Sequence, residues 1–225
     1  MKPLDSVTEA DPRYMDTRHG LPERHAELDA IRLHEGVPAH VRQLFETAKN
    51  LSLYSWFEYR FHPVAQLLGY AAFERALRER VAIEKQVDPD SLTDSLRSLI
   101  RTAVERKWIR SEDFENVRGI ARARLKQEQA IRLIAEGKVE DRPVPLPEPS
   151  KDEVLAHAAE LDFAERITES FRSLRNHLAH GGRMLGPRSA ATLRVVAEAI
   201  NPLFTSRPMG SGAMRTGEQG ERDDS

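Results

Sequence analysis

The stretch LAHAAELDFAERITESFRSLRNHL, residues 155–178, decides the fold class. Ser150 and Glu153, just before it, form a capping-box pattern that begins a helix. Gly181-Gly182, just after it, is typical of a helix end. In between, apolar residues recur every three or four positions, as on the buried face of an α-helix: Leu155, Ala158, Leu161, Ala164, Ile167, Phe171, Leu174 and Leu178. The stretch predicts one amphipathic helix from about residue 150 to about residue 180.

The same spacing recurs along most of the chain. Further helical patterns cover residues 38–51, 64–84, 92–109, 111–135 and 187–202. The sequence contains neither the alternation of apolar and polar residues that indicates a β-strand nor a glycine-rich loop of the phosphate-binding type. We therefore expect an all-α helical bundle.

The helical patterns also predict how the chain is organised. Residues 1–20 are polar and aperiodic, so we expect a flexible N-terminal segment. Residues 21–204 are expected to form a single helical domain, and the proline-rich residues 142–149 are a crossover between its helices. Residues 205–225 are rich in Gly, Ser and charge and are expected to be a disordered tail.

Composition narrows the class of protein. A charged fraction of 31% and a hydrophobic fraction of 40% fit a soluble globular chain. The net charge of −2 provides no overall basic field, so a nucleic acid would have to be held by a local patch. Cysteine is absent, which excludes disulfides and thiolate metal sites. Because no apolar run has the length of a signal core or a membrane span, we expect a cytoplasmic protein without membrane contact.

The chemistry-bearing residues are concentrated at the end of the 155–178 stretch. Four of them lie within six consecutive positions: Arg175, Asn176, His177 and His180. With the apolar stripe facing the core, Asn176 and His180 share the opposite face at about 100° per residue. Arg175 and His180 are then about 140° apart, so one straight helix cannot aim both at one atom. Either the helix unwinds near its glycines, or two copies face each other across a symmetric interface.

Such a cleft has the groups needed to cut RNA without a metal or cofactor. A histidine can remove the 2′-hydroxyl proton, the 2′-oxygen attacks the adjacent phosphate, and an arginine offsets the charge that develops there. Two other interpretations stay open from the residues alone. The histidines can cap a helix end, or His177 and His180 can share a metal whose third ligand comes from elsewhere.

Three further features are candidates for function. Glu74 is a carboxylate within the apolar stripe of residues 64–84, so it either faces a cation or lies at the edge of that stripe. The best local basic stretch, residues 118–132, is either an RNA-contact face, together with His177, or a solvated helix face; it carries Arg118, Arg122 and Arg124. The aromatic cluster within residues 54–61 is interpreted as core, with base stacking as the alternative.

The segment Arg175-Asn-His-Leu-Ala-His180 resembles the Arg-x4-His motif of the HEPN superfamily. Residues 48–61 and 70–80 resemble the first helical hairpin of bacterial HEPN-like proteins, and the resemblance extends over residues 38–204. It implies an all-α bundle with a long antiparallel helix pair and additional helices. It also implies a homodimer whose motifs face each other, and in many members a metal-independent endoribonuclease of toxin–antitoxin or defence systems.

Carried over residue by residue, Arg175 and His180 match the motif's Arg and His, and Asn176 matches its frequent polar neighbour. Family members often add an acidic residue from an earlier helix, for which Glu74 is the candidate by its position alone. The resemblance implies RNA and a possible protein antitoxin or neighbouring-gene partner. Gly182 stands where adenylylated toxins have Tyr, which argues against that control. The alternative function is an inactive HEPN-like module that binds RNA or protein.

Overall fold

The computed structural model describes residues 2–14, 20–136, 146–163, 166, 170, 173 and 186–205. Seven helices have described bounds and are numbered α1 to α7, and residues 163, 166, 170 and 173 are helical as well. Their bounds are α1 Leu21–Asp29, α2 Ala39–Tyr54, α3 Phe61–Lys85, α4 Leu96–Glu105, α5 Glu115–Ala135, α6 Lys151–Ala159 and α7 Ser189–Phe204. These described residues contain no β-strand. The prediction of an all-α fold is confirmed.

The antiparallel hairpin of α2 and α3 forms the centre of the bundle. The turn of residues 55–60 joins the two helices, which share the most extensive interhelical contact in the described chain. Val41, Phe45 and Ala48 of α2 are fully buried, as are the small and large apolar residues on the facing side of α3. Burial of these side chains holds the hairpin together.

Helix α7 packs alongside α3 and runs parallel to it. At one end the hydroxyl of Ser189 lies 2.6 Å from His62 Nδ1, and further along Gln66 Nε2 donates to Thr192 Oγ1 at 2.8 Å. The close approach depends on Gly69, where an added Cβ would lie 2.7 Å from Leu193 Cδ2. The chain therefore begins α7 at the same end of the bundle where α3 begins.

The other side of the bundle is built by α4, α5 and α6. Phe114, just before α5, packs against Phe163 with ring centroids 4.0 Å apart. Only the first part of α5 is buried, through Val117 and Ala121. Its later turns lie at the surface, and Ile134 there is 64% exposed.

The expected single helix from residue 150 to residue 180 is wrong, since α6 ends at Ala159 and the chain bends at Leu161. The apolar spacing continues in phase through this bend, so periodicity alone does not reveal it. The hydroxyl of Ser111 donates to the Leu161 carbonyl, which takes the place of a helical partner. The bend also lets Phe163 become buried.

Two prolines lie close to the predicted helix bounds. Pro63, just before the predicted start at residue 64, sits in the first turn of α3, where its missing N–H is tolerated. α7 ends at Phe204, near the predicted end at Pro202.

The predicted terminal and linker segments are only partly described. Residues 2–14 contact the turn of residues 55–60, and Asp11 and Tyr14 are buried; their flexibility stays a prediction. Residues 146–149 are extended. The first part of the proline-rich crossover and the tail from residue 206 lie outside the described residues. No helix among the described residues has the length and apolar character needed to cross a membrane.

Candidate functional site

The predicted catalytic motif lies outside the described residues. Arg175, Asn176, His177 and His180 all belong to this part of the chain, so their predicted roles stay predictions. What the structure describes is the chain on either side, as far as Ser173 before the motif and from Gly186 after it.

Both flanks of the motif are attached to the first part of α3. Before the motif, the side chain of Ser170 hydrogen-bonds to the Tyr70 hydroxyl. After the motif, Ser189 contacts His62 at 2.6 Å. Two helical turns, roughly 12 Å, separate His62 from Tyr70 along α3. The described residues before and after the motif thus contact α3 at two points within its first half.

The described residues before the motif present a polar face to solvent. Arg166, Ser170 and Ser173 are helical and exposed, and their spacing of four and three residues places them on one face. Counted on in the sequence, the same spacing reaches His177 and His180. Phe171, Leu174 and Leu178 lie outside the described residues, so their place on a core-facing stripe stays a prediction.

A buried polar network, which the sequence reasoning missed, lies at this end of the bundle. The imidazole of His62 is fully buried. Its Nδ1 lies 2.6 Å from Ser189 Oγ, and its Nε2 hydrogen-bonds to the Tyr14 hydroxyl and lies 3.2 Å from Ser55 Oγ. Ser189 Oγ also lies 2.6 Å from Ser52 Oγ. The network joins the N-terminal segment, α2, α3 and α7.

Electrostatics keep His62 neutral in this network. Burial is the main cause that lowers the pKa of His62 to about 4, and the positive charge of Arg24 adds to the effect. The Arg24 side chain donates to Ser55 Oγ at 3.1 Å and lies over the Tyr14 ring. A neutral imidazole offers one donor and one acceptor, which suits a chain of hydroxyl partners.

Ser189 and His62 have the contact of a nucleophile and its base, but a substrate cannot reach them. Both side chains are fully enclosed, as are Ser52 and Ser55. Catalysis requires a group within hydrogen-bond reach of the substrate. The network therefore serves as a structural connection between elements rather than as a catalytic site.

Glu74 lies at the edge of the buried face of α3 and faces a cation. Its carboxylate accepts from Arg78 Nη2 at 3.0 Å. The same guanidinium donates to the carbonyls of Leu92 and Asp94 at 2.6 and 3.1 Å, which fixes the loop before α4. Both alternatives for a carboxylate in an apolar stripe thus apply together. Its role as an acid beside the motif stays a prediction.

The three arginines predicted to contact RNA lie in two different environments. Arg118 donates to the Glu112 carbonyl at 2.7 Å and pairs with Glu115 at 2.6 Å. Arg122 and Arg124 are exposed, and the structure records no ion pair for them among the residues it describes. Of the three predicted arginines, Arg122 and Arg124 present their guanidinium groups to solvent with no partner recorded among the described residues.

Comparison with known proteins adds no assignment. No protein-family model matches the chain, and no curated protein or solved structure is similar to it. The function has to be argued from the residues.

The aromatic cluster has one buried, one exposed and three partly buried members. Tyr59 is 8% exposed, while Tyr54 is 50% exposed. Trp56 stacks on Tyr14 with ring centroids 5.1 Å apart, so the N-terminal segment covers one of its faces. The interpretation as core holds for Tyr59 and is wrong for Tyr54, because Tyr54 is the last residue of α2 and lies on an exposed side of it.

The described residues contain no candidate metal site. In that part of the chain, no group of three His, Asp or Glu side chains is placed to hold an ion. His177 and His180 lie outside it, so a site that uses them is not tested.

Proposed function

We propose that the protein is an endoribonuclease of the HEPN superfamily that cleaves RNA without a metal. The observation that carries the proposal is the Arg175–His180 spacing, which follows a helical segment whose polar face is exposed at Arg166, Ser170 and Ser173. Counted on in the sequence, this exposed face reaches His180, and a group on a solvent-facing surface is accessible to a polymer such as RNA. The all-α bundle with a central antiparallel hairpin supports the same proposal.

In the proposed mechanism His180 removes the proton from the 2′-hydroxyl group. The 2′-oxygen attacks the neighbouring phosphorus, the 5′-oxygen leaves, and a 2′,3′-cyclic phosphate remains. Arg175 holds the phosphate and offsets its developing charge, while Asn176 hydrogen-bonds to it. Glu74 is the proposed acidic partner, and His177 is a proposed RNA contact.

The proposal includes a homodimer, because Arg175 and His180 of one straight helix point about 140° apart. Two copies related by a twofold axis can supply one group each to a shared cleft. It also includes a role in a bacterial-type toxin or defence system in the cytoplasm, with a protein antitoxin or neighbouring-gene product as a possible partner.

The test is cleavage of single-stranded RNA by the purified full-length protein with EDTA present. We expect products with 2′,3′-cyclic phosphate ends and no cleavage of DNA of the same sequence. The variants His180→Ala and Arg175→Ala should lose cleavage. His25→Ala is the matched control, because His25 is exposed on α1 and should leave cleavage unchanged. A folded dimer that leaves a broad set of RNAs intact would refute the proposal.

The alternative is a module that binds RNA without cutting it. The observation in its favour is that Arg122 and Arg124 are exposed without a recorded ion pair in the described chain. This alternative predicts that binding depends on these arginines and not on His180. Salt-sensitive RNA binding that survives His180→Ala, with no cleavage by the unaltered protein, would favour it over the enzyme.

A further inference from the structure

A cavity lies on the side of the bundle formed by α3, α4, α6 and the turn at residues 111–113. Its volume is about 490 Å³, within the range of roughly 300–1,000 Å³ found for small-molecule sites. Aromatic and aliphatic side chains form its inner wall: Phe73, Ile100, Ile109, Phe114 and Phe163. A compact apolar body would fit against this wall.

The walls of the cavity are held by contacts that do not depend on a ligand. Phe114 and Phe163 pack with ring centroids 4.0 Å apart. The Ser111 hydroxyl donates to the Leu161 carbonyl, which joins the turn before α5 to the bend after α6. The cavity is thus preformed, and a ligand would not have to supply the free energy of forming it.

Charged side chains surround the mouth, and most of them already have a protein partner. Arg110 and Glu112 pair at 3.9 Å. Glu160 lies 3.7 Å from His157 Nδ1, and Asp162 also has an interaction within the protein. Lys107 is different, because the structure records no ion pair for its ammonium group among the described residues.

The backbone fixes the position of Lys107 beside the cavity. Lys107 has a φ of 57° and follows the end of α4, a position that usually takes glycine. Its N–H donates to the Val104 carbonyl at 2.9 Å, and the N–H of Trp108 donates to the Ala103 carbonyl at 2.9 Å. Arg80 lies 4.6 Å from the centre of the Trp108 ring and holds the next residue in place.

We propose that this cavity binds a small amphipathic carboxylate whose apolar body contacts Phe73, Phe114 and Phe163 and whose carboxylate pairs with Lys107. A medium-chain fatty acid or a fused-ring aromatic carboxylate has this chemistry. The apolar wall supplies the burial that drives binding, and the ammonium group selects the negative head. The proposal does not depend on the proposed RNA cleavage.

The test is isothermal titration of the full-length protein with decanoate, decanol and decylamine, all below the concentrations at which micelles form. Decanoate should bind about tenfold more tightly than decanol, and decylamine more weakly than decanol. Naphthoate provides the aromatic comparison, and the better of the two carboxylates identifies the preferred body. Failure of both carboxylates to bind would overturn the proposal, and so would equal binding of the three decyl compounds.

Two pairs of variants separate the head from the body of the ligand. Lys107→Met should remove the preference for decanoate over decanol. The control Lys151→Met removes the same charge from an exposed position on α6 and should keep that preference. Val104, at the mouth, is 40% exposed, so Val104→Trp should obstruct the cavity in a folded protein. Its control is Ile83→Trp, at a position that is 55% exposed and outside the cavity. Decanoate binding unchanged by both Lys107→Met and Val104→Trp would contradict the proposed site.

Discussion

The buried imidazole of His62 should make the fold sensitive to acid. Its pKa is about 4 in the folded protein, against 6.5 for an unperturbed histidine. Between these values the unfolded chain binds a proton that the folded chain excludes, so stability falls as the pH falls. The stabilisation is complete above about pH 6.5 and is lost as the pH approaches about 4.

The size of the effect follows from the two pKa values. At about 1.36 kcal/mol per pKa unit, the full difference corresponds to roughly 3 kcal/mol. At about pH 5 the loss should already be about 2 kcal/mol. Since His62 is fully buried, solvent does not screen this contribution. A loss of this size is a large part of the stability of a typical domain.

The measurement is urea unfolding followed by circular dichroism between about pH 8 and about pH 5. His62→Gln is the reference variant, because glutamine can hydrogen-bond but does not titrate. It should be less stable than the unaltered protein at neutral pH by about 1–3 kcal/mol, since the shorter reach leaves buried hydroxyl groups poorly paired. The difference in the free energy of unfolding between the two proteins should decrease by about 2 kcal/mol on acidification to about pH 5.

Comparison with the variant removes the contributions of other groups. Burial raises the pKa of Glu198, for example, which gives that carboxyl the opposite dependence on pH. It is present in both proteins and cancels. The reasoning about His62 would be refuted if both proteins lost stability in parallel, or if the His62 resonances in an NMR titration moved with a pKa near 6.5.

Two further predictions concern packing and charge. Gly69→Ala should lower the free energy of unfolding by about 1–3 kcal/mol, because its methyl group would lie 2.7 Å from buried Leu193. Gly119→Ala, with nothing within 4 Å, should instead stabilise by up to ~1 kcal/mol, and urea unfolding compares the two. If α5 contacts RNA, replacing Arg122 and Arg124 with Gln should reduce the slope of log K against log salt by about 1.4, measured by fluorescence anisotropy; an unchanged slope would exclude this face.

Local periodicity predicted the helices well, but it failed where a contact with a distant residue determines the end of a helix. The predicted end of α5 at Ala135, just before Gly137, is confirmed. Periodicity missed the bend after Ala159, since Leu161 stays in phase and its carbonyl is taken by Ser111, 50 residues earlier. A local sequence pattern contains no information about a contact between residues so far apart in the chain.

The His62 network was unpredictable for the same reason. Its partners Tyr14 and Ser189 are separated from His62 by 48 and 127 residues. The motif at residues 175–180 is the opposite case, because its spacing is entirely local and visible in the sequence.

The two flanks of the motif differ in how they are held, and this bears on the proposed cleft. A catalytic pair has to be held within about 0.5 Å of its productive geometry. After the motif, Ser189 is buried and bonded to His62 and Ser52, which gives that side a rigid attachment. Before the motif, Ser170 hydrogen-bonds to the Tyr70 hydroxyl, but Ser170 and Ser173 are both exposed, so this attachment lies at the surface. A second copy on this exposed face would strengthen the weaker attachment and supply the second catalytic group, so one contact would satisfy both requirements of the proposal.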